Sequence, residues 1–339
     1  MTQEQVSRSA IDPSMLIKLS TAYWESQTLL TANRLGLFEQ LAPGGRSLQD
    51  VCDALQTQPR HTKLFLNSCI ALGLVAEHAG AYSNTPLTQT FLVPGSPAYL
   101  GDAIRYSDNL YATWAQLEQA LKEGKPQIGT EQYTGADKQR TRNFVYGMHN
   151  RALGVGRVLS EMVNLSERER MIDVGGGPGT YSALLAQRYP QLHSLVLDLP
   201  GVVEIAAEIL AEMGVSERVK TQPMDYLQDP FPTGNDVVLI SGVFHRESPE
   251  TCRGFLQRAH AALVPGGLLV VSDVFTDAGG SSPPFAALFG LNMLLTANDG
   301  GVHADTDVAA WMEAEGFREI KRSPFPPPMP HRVITGIKA

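Results

Sequence analysis

Cysteine is scarce: Cys52, Cys69 and Cys252 are the only three in 339 residues. Three thiols cannot build a disulfide framework, and none has the short spacing of a zinc-ligand pair. The expectation is therefore three core thiols in a reducing cytoplasm. Basic charge is also short, with 27 Lys and Arg against 35 Asp and Glu and a net charge of −8. The longest basic cluster is Lys321-Arg322, which argues against a nucleic-acid partner or an anionic membrane surface. Long apolar runs are missing as well. The longest, near 285–297, is too short to span a bilayer and contains Asn292. The opening Met1-Thr2-Gln3-Glu4-Gln5 has neither a basic n-region nor an apolar h-region, so no secretory signal is expected.

What is present is a globular composition, 43% hydrophobic and 18% charged, in a chain of about two domains' length. Through the first hundred residues the periodicity is helical. Leu16, Leu19, Tyr23 and Leu30 recur at helical spacing. A second helix is expected over 47–55 with Ser47 as N-cap, and a third over 60–72 that stops at Gly73. Two short runs, 74–77 and 81–83, flank Gly80 as a hairpin. Helices followed by a small hairpin read as a winged-helix module. Many such modules bind DNA, but Arg60, His61 and Lys63 have little basic support. A dimerisation and lid role fits better. The stretch 91–101 then leads into a helical connector, in which Val155, Val158, Leu159 and Met162 share a face.

From residue 171 the pattern alternates strand and helix. Strands are expected at 171–174, 194–199, 219–223, 236–240 and 268–273, with helices at 181–189, 202–212 and 249–263. The last of these helices has Ser248 as N-cap and ends at Pro265-Gly266-Gly267. This alternation implies an α/β, Rossmann-like parallel sheet. Runs at 317–322 and 332–337 have only the Pro-rich 324–330 between them, too little for a helical crossover, so they form a terminal antiparallel hairpin. The Pro-rich stretch is either a rigid turn or a ligand-facing loop.

Asp173-Val174-Gly175-Gly176-Gly177-Pro178-Gly179 ends a strand and opens a helix. Glycines there let a ligand approach the backbone, and the helix N-terminus offers free N–H groups. Asp198, at the end of the next strand in Leu197-Asp198-Leu199-Pro200, stands where a doubly wound fold places an acid beside a ribose; capping the helix at Val202 is the alternative. Together with Pro223-Met224-Asp225-Tyr226, these motifs resemble the S-adenosylmethionine-dependent O-methyltransferases of the plant caffeate type and their bacterial relatives, over essentially the whole chain.

The resemblance implies a seven-stranded methyltransferase domain at 166–339, a helical connector and substrate-pocket segment at 101–165, and a winged-helix-like dimerisation domain at 1–100. It implies a homodimer acting on a small-molecule acceptor, while cysteine usage, charge, apolar runs and ligand spacing point to the cytoplasm and to no nucleic-acid, membrane or metal partner. Gly175, Gly177 and Gly179 would pass the methionine part of S-adenosylmethionine, and Asp173 would anchor the loop or the cofactor amine. Asp198 would hold the ribose, while Asp225 and Tyr226 flank the adenine. Ser241 matches a position where plant members often carry lysine. Phe144, Met148, Met293, Leu294 and Asn298 match substrate-facing positions, the last three assigned to the helix before Gly300. A nicotinamide cofactor is the competitor, disfavoured by the hairpin and the Leu-Asp-Leu-Pro element.

His245, at a strand's C-terminal end, lies on the ligand side of such a sheet. In the family this histidine is the general base toward a phenolic hydroxyl. Arg246 and Glu247 follow it here, in place of the Asp and Trp of plant members. Asp273 matches the first of two orienting acids, and near Gly300-Gly301-Val302-His303 no acid stands at the second place, so His303 or Asp305 would substitute. The function implied is methylation of a hydroxyl on a small aromatic or polyketide-like metabolite. C-methylation or a cofactor-assisted decarboxylation or cyclisation is the alternative within the fold, and a metabolite-binding regulator the alternative outside catalysis.

Overall fold

The computed structural model describes residues 12–128 and 137–339, and the chain separates into two compact units, Met1–Ser107 and Asp108–Ala339. The first unit holds helices α1 (Ser14–Arg34), α2 (Leu37–Leu41), α3 (Leu48–Leu55), α4 (Pro59–Ala71) and α5 (Pro86–Phe91), with a hairpin of β1 (Val75–His78) and β2 (Ala81–Asn84). Local chemistry sets these boundaries. Ser47 and Asp50 form a reciprocal capping box at the start of α3, and Pro59 opens α4. The hairpin turns through Ala79 and Gly80, both at positive φ. Leu37, Phe38, Leu41, Val51, Leu66, Cys69, Val75 and Tyr82 close the core.

α1 forms where the periodicity places it, but its apolar stripe does not face that core. Leu30 is buried, whereas Leu16, Leu19 and Tyr23 are 71%, 61% and 52% exposed. Met15, Ile17 and Trp24 are exposed with them, so the first three turns of α1 expose six large apolar side chains.

α6 (Gly101–Trp114) crosses the unit boundary; α7 (Leu117–Glu123) and α8 (Lys138–Met162) follow. The second unit then builds its sheet from β3 (Arg170–Val174), β4 (His193–Asp198), β5 (Val219–Pro223), β6 (Asn235–Ser241), β7 (Leu263–Val274), β8 (Phe317–Pro324) and β9 (His331–Lys338). Helices α9 (Thr180–Arg188), α10 (Pro200–Glu212), α11 (Pro249–Ala262), α12 (Pro284–Thr296) and α13 (Asp305–Ala314) connect them. No described helix is long and apolar enough to cross a membrane.

The strand order is β5-β4-β3-β6-β7-β9-β8. β3 to β7 pair in parallel, and β9 lies antiparallel between β7 and β8. This is the expected seven-stranded sheet with a terminal hairpin. The order reverses between β3 and β6, which opens a crevice at their carboxyl ends. Ile172, Val174, Val238, Ile240, Leu269 and Val271 are fully buried in the core on one side of these central strands.

Two details depart from the sequence reading. Pro265-Gly266-Gly267 does not lie between α11 and the next strand. α11 ends at Ala262, β7 begins at Leu263, and the residues between the Asn235–Leu263 and Val237–Leu268 pairs are extruded from the ladder. Asn298 lies beyond the end of α12 and is exposed, because the helix stops at Thr296. The Pro-rich turn between β8 and β9 proves to be a packing element, with Phe325 and Met329 joining Leu159, Val163 and Leu185 in one cluster.

Candidate functional site

At the carboxyl end of β3 the chain turns into α9 within five residues. Gly175, Gly177 and Gly179 adopt φ of 65°, 54° and 71°, where side-chain-bearing residues are strained. A Cβ on Gly175 would stand 2.7 Å from Val243, and one on Gly176 2.7 Å from the Asp173 carboxyl carbon. Gly177 differs, because nothing lies within 4 Å of its Cβ position. Its backbone faces open space, and a side chain there would fill the cradle.

Asp173 lies beneath Gly176 and is fully buried. Ser182 Oγ donates to its Oδ2 at 2.7 Å, and burial pushes the carboxyl up to about 7 despite that bond. Its Oδ1 is buried with no hydrogen-bond partner among the described residues. Asp198 ends β4 and keeps 9% exposure. Gly177 N–H donates to its Oδ2 at 2.8 Å and Leu199 N–H to its Oδ1 at 2.7 Å. It does not cap α10, whose N-cap position is Leu199. Burial raises its pKa, opposed by those two N–H groups and by the charge of Arg246. Each oxygen retains a second lone pair, so two neighbouring hydroxyls could be received at once.

Beyond β5, Asp225 accepts from Leu227 N–H at 3.0 Å and from Gln228 Nε2 at 2.9 Å, which fixes its turn. Tyr226 meets Phe255 edge-on at 5.6 Å and lies 3.5 Å from the Cβ position of Gly175, forming a wall beside the glycine turn. Its hydroxyl donates to Glu247 Oε1 at 3.3 Å. Ser241 ends β6, and burial pushes the Tyr181 hydroxyl up to about 12.

The region beyond the carboxyl end of β6 is assembled differently. Gly242, at φ 69°, turns the chain out of β6 into a short 3-10 turn, Phe244–Arg246, that carries His245. His245 Nδ1 lies 2.6 Å from Asp273 Oδ1, and its backbone N–H reaches Oδ2 at 3.3 Å. Val274 N–H also donates to Oδ1, at 2.7 Å. Burial alone would raise Asp273, but His245 and the hydrogen bonds outweigh it and hold this carboxyl below the usual range. An anionic partner on Nδ1 makes that nitrogen the proton-bearing one in neutral imidazole and leaves the lone pair on Nε2. The ring keeps 15% exposure and meets the Phe289 ring edge-on at 4.9 Å.

Neither expected substitute for the second acid reaches the imidazole. His303 Nε2 lies 3.0 Å from the carbonyl oxygens of Phe244 and of Glu247. The buried Asp305 carboxylate is held by Arg322 at 3.0 Å and by Arg332. The two guanidiniums compensate a buried charge, which leaves it committed to the hairpin. Among the substrate-facing candidates, Met293 is buried on α12 and Leu294 half-buried, while Met148 is half-buried on α8. Phe144 packs against Val145, Val202, Ile205 and Ile209, between α8 and α10. Beside Met148, His149 Nδ1 lies 2.8 Å from Thr180 Oγ1 at the start of α9.

Sequence reasoning missed Phe289, Tyr181 and His331. Phe289 sits four residues before Met293 on the same helix face, a spacing that could have found it. His331 begins β9 opposite Val274 in the register. Burial holds its imidazole down to about 4, with Asp273 opposing and Arg151 and His245 adding to the shift. Its Nδ1 is buried with no hydrogen-bond partner among the described residues.

A seven-stranded sheet of this order, with a glycine turn after its first strand and an acid at the tip of the second, defines the Rossmann-like methyltransferase class. Residues 114–318 match the O-methyltransferase domain and residues 17–94 the O-methyltransferase dimerisation domain, and the chain belongs to this O-methyltransferase family, whose methyl donor is S-adenosylmethionine. It is 32% identical over 331 residues to 3-hydroxy-5-methyl-1-naphthoate 3-O-methyltransferase of Streptomyces sahachiroi, covering 96% of each chain. It is 32% identical over 311 residues to the N,N-dimethyltransferase OxyT of Streptomyces rimosus, covering 89% of this chain and 90% of OxyT. Human N-acetylserotonin methyltransferase in complex with SAM superimposes with a TM-score of 0.87 at 26% identity, covering 98% and 99% of the two chains.

Proposed function

We propose that this protein transfers the methyl group of S-adenosylmethionine to a hydroxyl of a small aromatic or polyketide-like metabolite, with His245 as general base. The observation that carries the reading is the pairing of His245 Nδ1 with the buried Asp273 at 2.6 Å, His245 standing just beyond β6, the strand beside β3 and its glycine turn, and Asp273 on β7. When bound, the cofactor supplies a methyl group made electrophilic by its sulfonium.

The residues fit that cofactor. The open space at Gly177 admits a chain against the turn, held up from beneath by Asp173. The two oxygens of Asp198 suit a ribose diol, and Tyr226 offers an apolar wall for an adenine, with Asp225 at its edge. Gly175 and Gly179 shape the turn, and Ser241 ends the neighbouring strand.

The acceptor problem is one of protonation. A phenol with pKa near ~10 is a weak nucleophile at neutral pH. His245 Nε2 takes the hydroxyl proton as oxygen attacks, a contribution of roughly 10²–10⁴-fold. Asp273 positions the ring and stabilises the imidazolium that forms. Phe289, Met293 and Leu294 on α12, with Met148 on α8, supply the apolar wall that aligns the acceptor, a further entropic gain. The naphthoate named for the Streptomyces sahachiroi relative is an acceptor of this kind.

The exposed apolar stripe of α1 and the match to a dimerisation domain support a homodimer formed through the N-terminal unit. Three buried free cysteines support a reducing, cytoplasmic location.

The test is mass spectrometry and NMR of products from a panel of hydroxylated naphthoates and phenols incubated with S-adenosylmethionine. The reading expects a mass gain of one methylene, located on oxygen. A methyl on carbon, or a product lacking it, overturns the reading. Transfer to nitrogen, the activity named for OxyT, needs no strong base, so an amine acceptor insensitive to His245→Gln would mark that second reading.

A further inference from the structure

The segment Gly300–His303 grips the catalytic turn at three points. Gly301 N–H donates to the carbonyl oxygen of His245 at 3.0 Å. His303 Nε2 lies 3.0 Å from the carbonyl oxygens of both Phe244 and Glu247, the residues that bracket His245-Arg246. Carbonyl oxygens only accept, so Nε2 bears the proton and shares it between them. The Cys252 thiol joins the same knot, with Sγ at 3.7 and 3.8 Å from those two oxygens.

The other end of the segment closes a ring. Thr276 N–H donates to the His303 carbonyl at 3.0 Å, and Asp305 N–H to the Thr276 carbonyl at 3.2 Å. Thr276 lies just beyond β7, the strand that carries Asp273. Starting at Asp273, the connections run to the ring and backbone N–H of His245, across the turn carbonyls to Gly301 and His303, and back through Thr276 to the strand of Asp273.

We infer that His303 is a positioning residue that does the work of a second orienting acid by a different route. It holds the backbone of the turn rather than the imidazole, so one carboxylate suffices to aim Nε2. The inference rests on the general-base reading of His245. It has a consequence peculiar to this chain. An acid at 303 would set a carboxylate against two carbonyl oxygens and open the clamp, whereas glutamine keeps an N–H donor near the same place.

The experiment compares His303→Gln, His303→Glu and His303→Leu in the full-length protein. Turnover, both KM values and calorimetric affinity for S-adenosylhomocysteine are measured for each. Gln should stay within about threefold of wild type. Glu and Leu should lower kcat at least about tenfold, with cofactor affinity and acceptor KM within about twofold, because a misaimed base costs rate rather than binding. Turnover of the Glu variant at or above wild type overturns the inference, since a simple orienting acid would give that result; so does a Leu variant with wild-type turnover. If the Leu variant does not fold, the Gln and Glu pair decides.

Hydrogen exchange of the Arg246 and Glu247 amides, which bond Val243 and Phe244 within the turn, separates this inference from the proposed function. Should wild type transfer no methyl group to any hydroxyl, that function fails, and the clamp is still read by exchange. At least about tenfold faster exchange in Glu but not in Gln supports it, and equal exchange in all three variants overturns it.

Discussion

The glycine turn at 175–179 and the acceptor end around His245 lie at the tips of adjacent strands, yet they are made of different material. The end proposed for the cofactor is built mostly of local backbone, positive-φ glycines and N–H groups of residues 175–179, joined by the side-chain carboxylates of Asp173 and Asp198 at or near strand ends. The acceptor end is built of side chains brought together from residues 245, 273, 289 and 303. Backbone geometry follows local sequence, whereas a convergence of distant side chains follows the sheet order and the loops. On the proposed function, the first end suits a constant ligand, and the second can be retuned one residue at a time for a variable one.

If this contrast holds, changes at the two ends should have separable effects. The largest is expected at Gly177. Its Cβ position is open but its φ of 54° strains any residue with a side chain, so Gly177→Leu both fills the cradle and loads the turn; affinity for S-adenosylhomocysteine should fall about 100-fold while the circular dichroism spectrum persists. Wild-type affinity would break the comparison at its cofactor end. Next comes Asp273→Asn. An amide has a single oxygen, so it cannot accept both the Nδ1 proton and the His245 backbone N–H, and its NH2 group can impose the wrong tautomer; kcat should drop about 10²-fold or more with cofactor affinity unchanged. Equal losses in rate and cofactor binding would show that the ends are coupled. Phe289→Ala should raise the acceptor KM about 3–10-fold and leave the donor KM alone, since the ring contacts His245 edge-on.

The smallest effect concerns pH. The His331 imidazole is held down to about 4, below its ordinary value near 6.5. Its burial in the neutral form contributes stability that is fully present above about pH 6.5 and is lost as pH falls toward 4. His331→Asn should flatten the fall of Tm over that window by about 2–4 °C, measured by scanning calorimetry. An unchanged slope would place the acid sensitivity elsewhere.

The same contrast explains what was legible in the sequence. Each of the seven sheet strands showed as a short apolar run, and the glycine turn as a motif, because period and turn chemistry are local. Ser47 and Ser248 marked helix starts for the same reason, and both accept an N–H three residues on. The Asp273–His245 pair was reachable because both residues lie near the carboxyl ends of neighbouring strands, Asp273 next to last on β7 and His245 four residues beyond β6. His303 was misread because its partners are carbonyls, which leave no trace in side-chain identity. Asp305 was misread because Arg322 and Arg332 lie on the hairpin, and only the fold brings them to it. The stripe on α1 was visible, but period alone does not say whether a stripe faces its own core or another chain.

The account turns on a base at one end of the site that the other end does not need. Its most direct test is single-turnover methyl transfer by His245→Gln, paired with calorimetric titration of S-adenosylhomocysteine into the same variant. The account predicts transfer at least about tenfold slower with cofactor affinity near wild type; transfer at the wild-type rate would contradict it.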